Sequence, residues 1–491
     1  FSIIFLIAVG IRVFNLQNIP SGLHQDEAWF AYNAFLLLKQ GTNIYNQFLP
    51  LTVDMWGDHV SAAHSYFAAP LLLLFGVNIA AFRLTTVIFS LLTLCASAFF
   101  LYRITRNSVI VMIFSLLFAL SPWNIIMARA SSTVLIDTFF LMVFMIAFYE
   151  TITFGSEKIA SGKRALYAYI ALLVSTYLVT VVCYLTYFTS RLLIIPIGLA
   201  ILAMTYFQNK CTKKLVVVPA VGILIAYFIF PFLTYLNTPY AQGRFKETTV
   251  IESGAVKAAI FEDISTSGLA HMPPLATRIL YNKGTENIEH FVLQYVSFFS
   301  PDTLFSEINR PRRYTVIDTA AVTFVEYFGL IIGIGLVAFI PLYKKHKSEY
   351  LVLAVSIFSL LCAAIPTALT IDDFPNFQRG VIMTPFWQMA AAVAIYCVIA
   401  QINWFTKLKQ NKQILLAVTG IIVLSSINIF PFIIRYFLIN PYYKPYYRSY
   451  PDYQLGEWIN THAHDKKLLV SASDYSFIYA YLLACLLYTS P

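Results

Sequence analysis

Charged residues are scarce in this chain of 491 residues: Asp, Glu, Lys and Arg together make up 12% of it, whereas 59% is hydrophobic. Soluble domains carry about one quarter charged residues, so this composition excludes a soluble globular protein. Strand-like alternation is also rare, which argues against a membrane β-barrel. Apolar runs of roughly 20 residues recur instead, long enough to cross about 30 Å of hydrocarbon as helices. The composition therefore predicts an all-α polytopic membrane protein.

Metal-binding and disulfide patterns are also lacking. The six cysteines are scattered, and they show neither a CxxC pair nor a Cys/His spacing typical of zinc sites. The histidine pairs His59/His64 and His462/His464 have no third ligand nearby in sequence, so we predict no metal site built by the protein. The excess of Lys and Arg is typical of cytoplasmic loops in a membrane protein, and we predict no nucleic-acid partner.

The apolar runs predict about eleven transmembrane helices, together with helices that lie in the outer interface. The stretch 60–76 is assigned to that interface, because a further crossing there would move the basic residues 103 and 106 to the outer side. The predicted spans are approximately 1–14, 79–102, 108–126, 132–149, 166–185, 189–207, 215–236, 321–342, 350–370, 380–400 and 414–437.

Alternate loops between these spans are strongly basic, with fourteen basic residues against three acidic ones. The positive-inside rule assigns these loops to the cytoplasm of a multi-pass protein in the plasma (inner) membrane. The loops 15–78 and 237–320 then face outward and belong to a transmembrane module spanning 1–438. The region 439–491 is predicted to be the start of a small, truncated extracytoplasmic domain.

An acidic pair stands out in the first outer loop, within "GLHQDEAWFAYNAF". Asp26 and Glu27 fall in the first turn of an amphipathic helix over 28–38. An interfacial helix with an ordinary acidic start is one interpretation, because carboxylates there suit the helix dipole. A functional site is the other, since further charges are predicted at the same membrane level. They are Asp58, His59, Arg83, Arg129, Asp137, Arg191 and Arg379.

Taken singly, each of these arginines could extend to lipid headgroups. Together with the acids they indicate a site for an anionic, membrane-embedded substrate, because Arg binds phosphate through paired hydrogen bonds. We therefore predict that the acids Asp26, Glu27 and Asp137 are catalytic. The residues predicted to bind substrate are Asp58, His59, Arg83, Arg129, Arg191 and Arg379.

Several stretches resemble the GT-C superfamily of membrane glycosyltransferases, over about residues 8–475. The resemblance is to bacterial relatives of the dolichyl-phosphate-mannose protein mannosyltransferases, a group that includes the lipid A aminoarabinose transferase. The acidic pair after the first span is its most specific element. The stretches are "PSGLHQDEAWFAYNA", "FLPL", "WGDH", "FGVNIAAFRL", "RASSTVLIDTFF", "YFTSRLLIIP", "FFSPDTLFSE" and "FQRGVIMTPFWQMAAAVA".

The resemblance implies a polyprenyl-phosphate-linked sugar donor and transfer with inversion on the extracytoplasmic face. It gives Asp26 the role of the first-loop catalytic acid and Asp137 that of the second acidic position. The implied partners are the donor, a lipid, glycan or protein acceptor, and membrane lipids. The resemblance implies no cofactor. If the acceptor were itself a phosphate, however, Asp26 would orient that acceptor or hold a divalent cation.

Two other classes stay open at this point. An O-antigen ligase or polymerase would use a polyprenyl diphosphate donor and also carries a large outer loop. A polytopic transporter would place charges at mid-bilayer and contain two repeated halves, whereas no repeat is found here. The predicted charges gather at one face instead, which favours the transferase.

The predicted topology can be tested with single cysteines. Asp54→Cys and Thr105→Cys should react with a membrane-impermeant thiol reagent from opposite sides, because the first lies in an outer loop and the second in a basic loop. Measurement in intact and permeabilised cells distinguishes the sides. Reaction of both positions from one side would show that the stretch 60–76 crosses the membrane.

Overall fold

The chain is folded almost entirely into helices, as the composition predicts. Its only sheet among the described residues is a two-stranded antiparallel ribbon of β1 (Thr52–Met55) and β2 (Asp58–Ser61), in which Val53 pairs with Val60. The all-α polytopic fold class is therefore confirmed. The structure is a computed structural model that describes residues 1–55, 58–210, 214–233, 254–306, 310–338, 346–370, 375–443 and 448–462.

The first half of the chain contains both long helices and shorter ones. Polar caps fix several of their starts; for example, the Asn78 side chain accepts a hydrogen bond from the Ala81 N–H at 2.8 Å. The helices are α1 (Ser2–Val13), α2 (Gln25–Gln40), α3 (Ala63–Phe75), α4 (Ile79–Thr105), α5 (Ser108–Leu120), α6 (Pro122–Arg129), α7 (Val134–Lys158), α8 (Lys163–Thr186), α9 (Phe188–Phe207) and α10 (Lys214–Tyr227).

The second half begins with short helices in the predicted second outer loop and ends with longer apolar ones. A 3₁₀ turn at Arg312–Tyr314 lies between these two groups. The helices are α11 (Gly254–Leu269), α12 (Pro274–Leu280), α13 (Lys283–Ser297), α14 (Pro301–Phe305), α15 (Phe324–Val337), α16 (Lys347–Ala368), α17 (Phe377–Gly380), α18 (Thr384–Ile399), α19 (Asn403–Thr406), α20 (Gln410–Ile434) and α21 (Tyr450–His462).

Each of the eleven predicted spans coincides with a helix. Within the described ranges, seven helices are long and apolar enough to cross a membrane, or eight if the bent pair α5 and α6 forms one span. That pair bends by 55° before Pro122, which starts α6 in the position where proline is best tolerated. The helices α1, α10 and α15 are shorter, so the number of crossings stays a prediction.

The middle of the helix assembly is packed through small residues. Residues 384–394 of α18 are all buried, which makes this helix the centre of the second half. A Cβ atom added at Gly329 of α15 would lie 2.8 Å from the Cβ of Ala391, so the two helices approach too closely for a larger side chain. Close contact through small residues is the usual way in which apolar membrane helices associate.

Polar groups collect at the two ends of this assembly. At one end, which we name the basic end, Arg103 pairs with Glu150 at 2.6 Å and Lys210 donates to the Tyr149 hydroxyl at 2.8 Å. The opposite end, where α4, α7 and α9 begin, carries the first loop and most of the predicted site residues. We name it the loop end.

Candidate functional site

The first loop enters α2 through an N-terminal cap made by His24. The backbone N–H of His24 donates to the Glu27 carboxylate at 2.9 Å, and the His24 ring nitrogen Nδ1 accepts from the N–H of Asp26 at 3.3 Å. This reciprocal arrangement gives hydrogen-bond acceptors to backbone N–H groups that have no partner within the helix at its start. The acidic pair therefore does begin a helix, and its two members have different surroundings.

Glu27 points into the protein, where two arginines share its carboxylate. Arg83 Nε lies 3.0 Å from one oxygen and Arg448 2.5 Å from the other, and the Glu27 side chain is only 2% exposed. Burial by itself raises the pKa of this carboxyl, but the charges of Arg83 and Arg448 and the hydrogen bonds from Arg83 and the His24 backbone outweigh it and lower the pKa to about 2. Glu27 is thus a fixed anion, which does not suit the catalytic role predicted for it.

Arg83 is fully buried and uses all five of its N–H donors within the protein. Two go to Glu27, and three go to the carbonyl oxygens of Leu16, Pro20 and Gly22 at 3.2, 2.9 and 2.6 Å. No donor is left for a phosphate. Arg83 thus fastens the first loop to the start of α4. A substrate contact would have to replace some of these bonds, and that predicted contact stays a prediction.

Arg129 plays a similar part at the end of α1. Its guanidinium is fully buried and lies 4.8 Å from the centre of the Phe437 ring. Four of its donors go to backbone carbonyls, so Arg129 holds the end of α1 and the loop after it, and its predicted substrate contact stays a prediction. The carbonyls belong to Ile11, Arg12, Phe14 and Ile19, at 2.7–3.0 Å.

Asp26 is the accessible member of the pair. Its side chain is 30% exposed, and one oxygen lies 3.7 Å from Nδ1 of His24. The other ring nitrogen of His24 faces Arg313 at 3.2 Å. A neutral imidazole has a single acceptor nitrogen, so His24 can accept from the Asp26 backbone or from Arg313, but not from both at once. Asp26 therefore stands beside a buried histidine and a cation, with its carboxylate reachable from outside.

The turn at Arg313 and Tyr314 links Asp26 to the start of α17. The Arg313 guanidinium stacks on the Tyr314 ring at 5.1 Å, and the Tyr314 hydroxyl donates to Gln378 at 2.7 Å. Burial raises the pKa of Tyr314, which keeps this hydroxyl protonated as a donor; Asp26 adds to the shift, and Arg313 opposes it. Gln378 precedes Arg379, so the turn connects the first loop with one of the predicted arginines.

Arg379 and Arg191 gather around the start of α9. Arg379 is 7% exposed and lies 5.3 Å from the centre of the Phe188 ring, the first residue of α9. Arg191, one helical turn later, stacks on Tyr184 at 4.5 Å and donates to its carbonyl oxygen at 3.0 Å. The two predicted arginines are thus brought to the same helix start, each close to an aromatic ring.

Asp137 lies at this helix start as well, but it is completely buried. Its carboxylate accepts from the Thr186 hydroxyl at 2.8 Å and from the Ser190 N–H at 3.1 Å. It therefore satisfies a free donor in the first turn of α9 and joins α7 to the junction of α8 and α9. Asp137 thus holds the start of the helix that carries Arg191, and its predicted catalytic role stays a prediction.

The remaining predicted residues are only partly described. Asp58 and His59 have their backbone in β2, and their side chains lie outside the described part of the structure. Their predicted substrate contact stays a prediction. Among the side chains that are described, no group of three or more His, Cys, Asp or Glu is arranged to hold a metal ion.

Sequence reasoning missed three residues of the loop end. Arg448 contacts Glu27 across 421 positions of the chain, and Tyr314 was not singled out within its basic turn. Arg12 is fully buried, with all five donors directed to protein acceptors, including Ser90 and Asn124. Arg12 could have been predicted as a buried, paired residue, because it is a charged residue at the end of an apolar span and such a charge must find partners.

The stability of this site should depend on pH through His24. Burial lowers the pKa of His24 to about 4, and Arg313 and Arg448 add to the shift against Asp26 and Glu27. The unfolded chain takes up this proton near pH 6.5 and the folded chain does not, so stability falls between pH 6.5 and 4, by up to about 3 kcal/mol. His24→Asn keeps a good cap without the titration. Its Tm should fall less steeply over this range than that of the parent.

Thermal unfolding of the purified protein at several pH values measures this difference. The matched control is His290→Asn, since the His290 side chain is 36% exposed and lies away from the first loop. The control should follow the parent. Equal slopes for His24→Asn and the parent would rule out a buried neutral His24.

Comparison with known proteins identifies structures of similar fold but no protein of similar sequence. No protein-family model matches the chain, and no curated protein sequence matches it. Among solved structures, it is similar to the archaeal oligosaccharyltransferase AglB from Archaeoglobus fulgidus, solved with an inhibitory peptide and a dolichol-phosphate. The TM-score is 0.55 and the identity 13%, over 99% of this chain and 63% of AglB.

A second structure of the A. fulgidus oligosaccharyltransferase, with Zn and sulfate, matches with a TM-score of 0.54 and 14% identity, over 99% of this chain and 61% of that one. ArnT from Cupriavidus metallidurans in the apo state is less similar, with a TM-score of 0.48 and 12% identity over 98% of this chain and 84% of ArnT. This chain thus spans less than two thirds of the length of AglB. On the AglB matches, the chain has the GT-C fold that the resemblance predicted.

Proposed function

We propose that this protein is an inverting glycosyltransferase that moves a sugar from a polyprenyl-phosphate donor to an acceptor at the membrane surface. The GT-C fold supports this, because AglB, which shares it, is an oligosaccharyltransferase solved with dolichol-phosphate. The same likeness favours a glycosyltransferase over the polymerase-like enzyme and the transporter. The acceptor is a lipid, a glycan or a protein, and the donor's apolar tail would lie among membrane lipids.

The observation that carries the proposal is the line of contacts that leads from Asp26 to Arg379. Asp26 is a reachable carboxylate beside His24, and Arg313 and Tyr314 connect it to Gln378. A reachable carboxylate and several cations are thus linked by one series of contacts at one end of the helices. Sugar transfer from a phosphate leaving group needs this combination, one group for the acceptor proton and others for the charge that develops on the phosphate.

In the proposed reaction, the acceptor hydroxyl oxygen attacks the anomeric carbon of the donor sugar. The bond between that carbon and the phosphate oxygen breaks, its electrons stay on the phosphate, and polyprenyl phosphate leaves. The hydroxyl proton moves to the Asp26 carboxylate, which acts as the general base. Attack opposite to the leaving group inverts the anomeric centre. With a phosphate acceptor no proton needs to move, and Asp26 would instead orient it or hold a divalent cation.

The guanidinium groups of Arg379 and Arg191 are the proposed contacts for the donor phosphate. Both lie at the start of α9, 5.3 and 4.5 Å from the centres of the Phe188 and Tyr184 rings. A guanidinium binds a phosphate through paired, charge-assisted hydrogen bonds, which is the contact that we propose here. The charge gained by the leaving phosphate would then be stabilised where it develops.

The proposed location of this chemistry is the extracytoplasmic side of the plasma membrane. Arg103 and Lys210 lie at the basic end, opposite to Asp26, and basic residues at helix ends favour the cytoplasm. The loop end would then face outward. A lipid-linked donor suits that side, because nucleotide sugars remain in the cytoplasm.

Asp26→Asn should lower turnover by about two to four orders of magnitude, because it removes the proposed base while keeping the helix start. The assay is transfer by the purified protein with a lipid-linked sugar, with donor binding measured beside it. Asp302→Asn is the matched control, since Asp302 is an exposed acid in the first turn of α14. Glu27→Gln is not a suitable control, because it breaks two buried ion pairs. Full turnover by Asp26→Asn would falsify the catalytic role.

Arg379→Lys should weaken donor affinity and turnover although the charge is kept, because an ammonium cannot form the paired hydrogen bonds of a guanidinium. We expect a loss of about tenfold or more, since a charge-assisted hydrogen bond contributes roughly 1.5–3 kcal/mol. Arg312→Lys, in the exposed part of the neighbouring turn, is the matched control. Unchanged donor affinity and turnover in Arg379→Lys would remove Arg379 from the site.

A further inference from the structure

The two ends of the described chain meet at Glu27. Arg83 comes from the start of α4, and Arg448 comes from the segment that follows the last long helix. Arg448 is 6% exposed, and a second nitrogen of its guanidinium donates to the carbonyl oxygen of Arg313 at 3.3 Å. A single side chain thus touches both the start of α2 and the turn that leads to Tyr314.

The backbone around Arg448 also rests on the first loop. A Cβ atom added at Gly22 would lie 2.8 Å from the carbonyl oxygen of Arg448 and 3.2 Å from the Cβ of Tyr450. Gly22 has φ +73, a conformation that side chains other than glycine adopt only with strain. Gly22 therefore lets the backbone at Arg448 and Tyr450 pack directly against the first loop.

Apolar contacts continue this docking along α21. Tyr453 packs against the small buried cluster of Leu23, Ala28 and Ile79, which joins the first loop, α2 and α4. The segment 448–453 therefore covers the start of α2 with a charge, a backbone contact and an aromatic ring. These contacts surround Asp26 without including its carboxylate.

We propose that Arg448 is a positioning residue: by docking on Glu27 it makes the segment after the last long helix hold the Asp26 loop in its working geometry. The inference rests on the proposed function only in naming Asp26 as the base. Two cations share the Glu27 carboxylate, so loss of one leaves a buried anion with half of its compensation. The helix start that carries Asp26 would then be free to shift, and a displacement of about 1 Å can cost about a hundredfold in rate.

Two variants break the contact from opposite sides. Arg448→Ala removes the guanidinium, and Gly22→Ala inserts a methyl group against the Arg448 backbone. Arg448→Lys keeps the positive charge beside Glu27, so its exchange and turnover should lie between those of Arg448→Ala and the parent. The matched control is Arg435→Ala, because Arg435 pairs with Asp318 at 3.6 Å on a partly exposed surface and makes no described contact with the first loop.

Hydrogen–deuterium exchange of the purified full chain measures the contact without any need for activity. Arg448→Ala and Gly22→Ala should each raise exchange about tenfold or more in peptides covering 16–30, while α18 stays protected. Turnover with a lipid-linked sugar should fall ten- to a hundredfold, mainly in kcat, with little change in donor KM. Arg435→Ala should match the parent in both measurements.

The outcomes separate the inference from the function on which it rests. Unchanged exchange over 16–30 in both variants overturns the docking, and raised exchange with full turnover overturns the positioning role. If Arg448→Ala unfolds the whole chain, Arg448→Lys and Gly22→Ala decide by the same two measurements. If the parent itself transfers no sugar, the proposed function fails, while the exchange of 16–30 still decides whether Arg448 holds the loop.

Discussion

The satisfaction of buried guanidinium groups is the constraint on which the loop end depends. A charge taken out of water is costly unless hydrogen bonds replace its hydration, and Arg12, Arg83 and Arg129 are all fully buried. The donors of Arg83 and Arg129 go largely to backbone carbonyls at the end of α1 and in the loop after it, and Arg12 donates to carbonyls at the end of α5. Helix ends offer such carbonyls, and their negative dipole favours a cation there. These arginines therefore fix the path of the first loop, and with it the start of α2.

The acidic pair shows how one helix start serves two purposes. Neighbouring residues on a helix point about 100° apart, so two adjacent acids can meet different surroundings. Glu27 faces inward and receives Arg83 and Arg448, whereas Asp26 faces the surface beside His24. The buried acid holds the helix start in place, and the accessible acid is free for chemistry. We therefore interpret Glu27 as the residue that holds the helix start and Asp26 as the acid that this helix start presents at the surface.

The sequence predicted the helices well and the arginine partners poorly, for a physical reason. Apolar runs and caps are local signals, so the positions of α4, α7 and α18 follow from the chain itself. Whether an arginine near a membrane surface meets a phosphate or a carbonyl depends on the path of distant segments. Arg83 was predicted to bind substrate because it lies at the membrane level of the other charges. Its carbonyl partners belong to an irregular loop, and Arg448 lies 421 positions from Glu27, so neither contact could be read from the sequence. Asp26 was found correctly as a member of a helix start, and its catalytic role stays a prediction.

The arginines at the loop end differ in what their described contacts hold together. Arg83 and Arg129 spend their in-plane N–H donors on fixed acceptors, which suits residues that hold the fold. A ring contact does not distinguish the arginines, because Arg129 lies 4.8 Å from the centre of the Phe437 ring and Arg379 lies 5.3 Å from that of Phe188. Such a contact is worth only about 0.5–2 kcal/mol and is compatible with the binding of an anion. Arg191 and Arg379 differ from Arg83 and Arg129 in their place, since both lie at the start of α9. We therefore propose the donor phosphate for these two arginines, and a role in holding the first loop for Arg83 and Arg129.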